Sequence, residues 1–174
     1  MSSDPISVVL HNEGGFVNHK ADKGGPTKFG VTIRTYSQYL GRPASLQEVK
    51  DMTEDTAREI YERSYLTGPR IHLLAEPLRT HLLDMAINHG PVNAIRMLQR
   101  VVNAAGFGPI SVDGVLGPRT RDAITAAQKK MGKLLNNALV DERVRFFNSI
   151  VARDPSQAVF IDGWLNRAEE FRIA

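Results

Sequence analysis

Residues 13–30 read EGGFVNHKADKGGPTKFG. The stretch holds five glycines, one proline and two acids, and neither a helical nor a strand period of apolar residues runs through it. It separates a short amphipathic segment before it from a long series of amphipathic segments after it. Upstream, Ser3 or Asp4 can cap a helix whose first turn takes Pro5. Ile6, Val9, Leu10 and Glu13 then recur at i, i+3, i+4 and i+7, and Gly14-Gly15 stops the helix. Glu13 is thus predicted at a helix end on the apolar face, where the helix dipole is negative and does not favour another anion.

Downstream, residues 16–31 are expected to form a glycine-punctuated loop or short hairpin, with Gly30-Val31-Thr32 as the return strand. Beyond it the sequence predicts helix nearly throughout. One runs from Thr32 or Ile33 to Leu40, and one is opened by a Ser45/Glu48 capping box. A third follows a Thr53 cap, with Ala57, Ile60, Tyr61 and Tyr65 on one face, and breaks at Gly68-Pro69. Pro77 opens a helix striped by Leu78, Leu82, Met85, Ala86 and His89, and Pro91 opens another that ends at Gly106. The turn-rich FGPISVDGVLGPRT (107–120) leads into a helix from Pro118 toward Gln128. A basic amphipathic helix spans Lys133 to Arg153, where Val144, Phe147 and Val151 are assigned to core packing. A single final helix is expected over 156–171. No repeat or low-complexity linker interrupts the chain, so a mainly α architecture in one compact body is predicted.

The 174 residues suit one domain, or one with a small appendage, and 42% hydrophobic with 24% charged residues is an ordinary globular composition. The absence of cysteine excludes a disulfide framework and thiolate zinc sites. A net charge of +3 favours polyanions in general: nucleic acid, anionic lipid or bacterial wall polymers. Histidines 11, 19, 72, 81 and 89 show no HExxH spacing, so neither a catalytic metal nor a cofactor is expected. There is no G-x-S-x-G elbow, and KGGPTKFG fits neither phosphate-binding glycine pattern. Nucleic acid is not an expected partner, because basic residues in DERVRFFNSIVAR alternate with acids over an apolar stripe. The opening MSSDPISVVLHNEGG has no basic leader, and no stretch reaches the apolar length of a membrane span. The expectation is synthesis in the cytoplasm without a signal peptide, with release by other means if the protein works outside it.

Glycosidic cleavage needs a carboxylic acid kept protonated near neutral pH, with a second carboxylate or a positioned water opposite. A glutamate at a shielded helix terminus can meet the first need through desolvation. The order Glu13-x8-Asp22-x4-Thr27 brings three such candidates around one cleft if the loop folds back. Glycines would then let backbone approach a bulky glycan. An ordinary surface hairpin, with Asp22 and the glycines serving turns, accounts for the same spacing equally well.

The motif EGGFVNHKADKGGPTKFGVT resembles the N-terminal signature of the glycoside hydrolase family 108 muramidases, at Glu13, Asp22, Gly24-Gly25, Thr27, Gly30 and Thr32. The resemblance continues through LLDMAINHG, at Asp84, Asn88 and Gly90, and through LQRVVNAAG. VDGVLGPRT is similar to the family's C-terminal peptidoglycan-binding region, at Asp113, Gly114, Gly117, Pro118 and Thr120, and FIDGWLNR to its closing motif. Nearly the whole chain is covered in the expected order. One departure is Tyr65-Leu66 where the family pattern has Tyr-Trp, which removes an aromatic able to stack on sugar.

The resemblance implies a lysozyme-like helical fold with the glycine-rich hairpin beside the active site. It implies a catalytic region over 1–90 and a peptidoglycan-binding-like helical region over 91–174, packed into the same body. It also implies cleavage between N-acetylmuramic acid and N-acetylglucosamine by an endolysin of phage type. Glu13 would be the acid, with Asp22 and Thr27 as its catalytic partners and Tyr65 and Asn88 as sugar contacts. Phage-type lysozymes share the Glu-Asp-Thr order, but this chain's second interval is one residue shorter. Bacterial peptidoglycan is the expected partner, a holin-type protein the expected release partner, and a monomer the expected state. A lytic transglycosylase and a non-catalytic wall-binding module remain as alternatives. Asp113 and Thr120 are assigned to turn and helix-start roles.

Overall fold

A computed structural model describes residues 4–12, 15–18 and 25–174, excluding the side chain of Asn12. Glu13 and Asp22 lie outside the described residues. The chain is mainly α with a small antiparallel sheet, as the sequence predicts. Its contacts divide it into two units, Met1–Gly68 and Pro69–Ala174.

In the first unit, α1 (Pro5–Asn12) starts where the proline suggests, and Asp4 is the cap: its carboxylate accepts from the amides of Ile6 at 3.3 Å and Ser7 at 3.2 Å. The sheet comprises β1 (Phe16–Val17), β2 (Thr27–Lys28) and β3 (Val31–Thr32) in the order β1-β2-β3. This corrects the hairpin expectation. Val31-Thr32 pairs with Thr27-Lys28 across a tight turn, and β2 rather than β3 pairs with β1. Thr32 leaves the sheet and caps α2 (Ile33–Leu40), its hydroxyl accepting from the Thr35 amide. The Ser45/Glu48 capping box opens α3 (Leu46–Asp51), and Thr53 caps α4 (Glu54–Tyr61). The expected α-helix to residue 66 ends early, because Glu62–Thr67 widens into a π-helical turn. Among the described residues of this unit, Ile6 and Leu10 of α1, with Val31, Val49, Met52, Ala57, Ile60 and Tyr61, form the buried hydrophobic core. Burial of each large aliphatic side chain contributes about 1.5–3 kcal/mol.

The second unit begins with a 3₁₀ turn, Ile71–Leu73, followed by α5 (Leu78–His89), α6 (Pro91–Ala104), α7 (Pro118–Met131) and α8 (Lys133–Arg153). Residues 155–160 form a 3₁₀ segment, and α9 covers only Ile161–Glu169. The single final helix expected over 156–171 is therefore split, because Asp154 accepts from the Ser156 amide and organises a tight turn first. α5 is buried almost all round: Leu78, His81, Leu82, Leu83, Asp84, Met85 and Ala86 are all inaccessible. It packs on α6, which packs in turn on α7 and α8. A second cluster of Val140, Phe147 and Ala168 gathers the partly buried Val144, Ile150, Trp164 and Leu165 where α8 meets α9.

Candidate functional site

In the first unit, Arg58 of α4 pairs with Asp4 at 2.9 Å and donates to the Ser7 hydroxyl at 2.7 Å. These bonds fasten the start of α1, which buries Ile6 and Leu10 and ends at Asn12, the residue before Glu13. Strands β1 and β2, paired Phe16 with Lys28 and Val17 with Thr27, flank the segment that carries Asp22. Thr27 is half-buried in the central strand, opposite Val17 on one side and Thr32 on the other.

Two contacts hold the sheet's far turn. The Tyr61 hydroxyl donates to the Phe29 carbonyl at 3.0 Å, where Phe29 has a positive φ of 52°. The Lys28 ammonium donates to the Lys50 carbonyl at 2.5 Å. Tyr65 stacks on Tyr61 with ring centroids 5.6 Å apart. The π-helical turn that carries Tyr65 is a rare geometry concentrated at functional positions. It also presents Arg63 and Ser64, with Thr35, Gln38 and Tyr39 of α2, around a small cavity of about 180 Å³. Thr27 and Tyr65 thus belong to one unit. Asn88 belongs to the other; it is exposed near the end of α5 and donates to the Asp84 carbonyl at 2.8 Å.

The second unit contains a buried charge cluster. Asp84 Oδ2 lies 2.7 Å from Arg143 Nη2, both side chains being almost inaccessible, and Oδ1 receives Arg167 through Nε at 3.1 Å and through Nη2. Arg143 Nε donates to His89 Nε2 at 3.3 Å. His81 bonds Asn136 Oδ1 at 3.0 Å through Nδ1 and stacks on Phe171. Burial, reinforced by Arg143, pulls both histidines down to about 4, so they are neutral at pH 7. These residues pack and pair; their spacing on α5 reflects that role. Sequence reasoning noted Asp84 but missed its arginines. The signal was available: Arg143 sits at i+4 from Leu139 and at i−4 from Phe147, inside an apolar stripe.

The turn-rich segment 107–117 is pinned by α6. Asn103 brackets Ile110, accepting from its amide and donating to its carbonyl, each at 2.9 Å. Gln99, fully buried, donates to Asp113 at 2.9 Å and to the Val115 carbonyl at 3.1 Å, and accepts from the Gly114 amide at 2.9 Å. Asp113 also accepts from the Val115 amide, which bears out its turn role. Gln99 was not singled out from sequence, because a lone glutamine in a helix carries no pattern. Among the described residues no group of histidines and acids could hold a metal ion, and no helix is long and apolar enough to cross a membrane.

The family model for glycosyl hydrolase 108 matches residues 6–90, and that for the "Predicted Peptidoglycan domain" matches residues 93–169. The solved structure of Brucella abortus SagA is 33% identical, covers 96% of this chain and 88% of its own, and superposes with a TM-score of 0.72. The chain belongs to glycosyl hydrolase family 108. No curated protein matches it. As a family 108 member the chain is a glycoside hydrolase acting on peptidoglycan, with a peptidoglycan-binding region following the hydrolase region. The two matches meet at residues 90–93, whereas contacts divide the chain at Gly68–Pro69, because α5 packs on α6.

Proposed function

We propose that this family 108 chain is an endolysin-type muramidase hydrolysing the β-1,4 bond between N-acetylmuramic acid and N-acetylglucosamine. One observation carries the reading: the hydrolase match over 6–90 contains Glu13, Asp22 and Thr27, and a peptidoglycan-domain match follows it directly. Glu13 gives its proton to the glycosidic oxygen as the bond to the anomeric carbon breaks. The carbon acquires oxocarbenium character, which the Asp22 carboxylate stabilises. Water held by Thr27 adds to that carbon, and its proton returns to Glu13. Tyr65 offers an aromatic face to a sugar ring, and Asn88 an amide to polar groups of the glycan strand. The proposal extends to a monomer made in the bacterial cytoplasm, reaching the wall through membrane lesions formed by a holin-type partner.

The test is mass spectrometry of soluble fragments from purified sacculi treated with wild type or with Glu13→Gln. Fragments ending in reducing muramic acid, depressed roughly 10²–10⁴-fold in the variant, are expected for loss of the general acid. Anhydro ends would reassign the protein to the lytic transglycosylases. Wall binding without fragments from wild type would leave a non-catalytic binding module.

A further inference from the structure

We propose that the cavity between α2 and the π-helical turn holds a single N-acetylhexosamine residue of the glycan strand. The proposal rests on peptidoglycan as the substrate and names a place in the first unit that takes one sugar of it. Thr35, Gln38 and Tyr39 line the cavity from α2, and Ile60, Arg63 and Ser64 line it from α4 and the turn that continues it. All six lie within the hydrolase match over 6–90. The volume of about 180 Å³ falls below the range of about 300–1,000 Å³ usual for larger ligands, so it suits one sugar ring and not two.

The backbone is shaped around this space. Where α4 would continue, Glu62–Thr67 widens into the π-helical turn, and the Gly68 amide donates to the Arg63 carbonyl at 2.9 Å. A Cβ at Gly68 would stand 2.6 Å from that carbonyl oxygen, so the turn closes this way only on a glycine. Single π-helical turns are rare and concentrate at functional sites. On the facing side, α2 has no fully buried residue, although it carries two tyrosines. Tyr36 and Tyr39 stack with ring centroids 6.2 Å apart and stay half-buried, so the core leaves part of their surface open.

The lining selects the ligand. Thr35, Gln38 and Ser64 offer uncharged donors and acceptors, the groups that pair with ring hydroxyls and an acetamido substituent. Tyr39 adds an aromatic surface for the C–H side of a pyranose, and the buried Ile60 an apolar floor for the acetamido methyl. Charges of both signs stand here. Arg63 belongs to the lining, and the Tyr39 hydroxyl bonds the Glu59 carboxylate, which raises the phenol's pKa. A phosphate or a carboxylate would meet Glu59 as a like charge, and an apolar ligand would leave the amide and hydroxyls unpaired. A neutral polyhydroxyl ring bearing an amide suits the whole set. Thr35 is held in place by a hydroxyl–hydroxyl bond to Thr32 at 3.0 Å, which lowers the ordering cost of binding.

The probe is the β-1,4-linked trimer of N-acetylglucosamine, titrated into the ¹⁵N-labelled full chain carrying Glu13→Gln and followed by amide chemical shifts. Saturable shifts at Gln38, Tyr39, Arg63 and Ser64 are expected. Gln38→Ala and Ser64→Ala, both at exposed positions, should each weaken the affinity read at these amides about fivefold, the scale of one neutral hydrogen bond. Gly68→Ala should weaken it too, through the turn and without removing a lining side chain. Should Gly68→Ala fail to fold, the two exposed substitutions decide. The β-1,4-linked glucose trimer, which lacks the acetamido groups, should bind about tenfold more weakly. Equal affinity in either exposed variant, equal affinity for the glucose trimer, or no saturable shift at these four amides would overturn the proposal. Binding here needs no bond cleavage, so the two readings fail separately. A wild type that releases no fragments from sacculi leaves this result intact, and reducing muramic acid ends from a chain whose cavity takes no trimer would sink the cavity alone.

Discussion

Arg143 Nη2 stands 2.7 Å from Asp84 Oδ2 at a point where each side chain is 1% exposed. The approach is an ion pair without hydrogen-bond alignment, and Arg143 Nη1 has no partner among the described residues. The second arginine, Arg167, is about one-third exposed and completes Asp84's other oxygen. The cluster therefore keeps a buried arginine charged, although burial works against that charge.

Breaking this pair should be far worse than replacing it. Asp84→Leu strands two guanidinium groups and is expected to cost about 3–5 kcal/mol, as for other single deletions from buried pairs. The double variant Asp84→Leu/Arg143→Met should be less destabilised than Asp84→Leu alone. Urea denaturation of the single and double variants measures both, and additive losses would show that the residues do not couple.

Stability should fall as pH drops from about 6.5 toward about 4. His81 and His89 are depressed to about 4 in the folded chain but carry ordinary values when unfolded, so between those pH values the unfolded chain binds more protons. Their contribution is complete above the unfolded pKa and is lost as pH falls through that window. For His81 alone it amounts to roughly 3 kcal/mol. His81→Phe retains a ring against Phe171 and should flatten the pH dependence of the urea midpoint, whatever its effect at pH 7.

Gly114→Ala should unfold the second unit more readily. Gly114 has φ +80°, and an added Cβ would sit 2.7 Å from Val92 Cγ1 and 2.9 Å from the Val92 carbonyl oxygen. Left-handed strain and overpacking together are expected to cost about 2–4 kcal/mol. Adding Val92→Ala should recover only part of the lost melting temperature, because the backbone contact remains.

Tyr61→Phe removes the hydroxyl that holds the β2–β3 turn at Phe29. About 1 kcal/mol is expected, with faster amide exchange in the sheet and little change in the second unit. Uniform acceleration across the whole chain would contradict a local role.

Tyr65→Ala should lower fragment release from sacculi by about tenfold through loss of a stacking face of roughly 1 kcal/mol or more. Tyr65→Phe, which keeps the ring, should retain most of the activity. Equal loss in both variants would remove sugar stacking from Tyr65's role.

The helices were legible because their signals are local. Asp4 before Pro5, Ser45 with Glu48, Thr53, and Gly90 before Pro91 each act within one turn of the chain, and each marks a boundary in the structure. Glu13 and Asp22, named from the motif, lie outside the described residues, so the geometry bears only on Thr27, Tyr65 and Asn88. Strand pairing was less legible. Two-residue strands carry no alternation, and the pairing of Thr27 with Val17 depends on how the nine residues between them close.

By itself, the order of residues determined where most helices begin, which faces are apolar, and the family motifs that run from Glu13 to Arg167. Only the tertiary structure decided that Arg143 meets Asp84, that His81 and His89 are neutral packing residues, and that Gln99 holds the Asp113 turn. The physical reason is distance along the chain. Caps and stripes arise between residues three or four apart, whereas a buried charge is stable only beside partners that folding brings in, here Arg143 and Arg167 to Asp84.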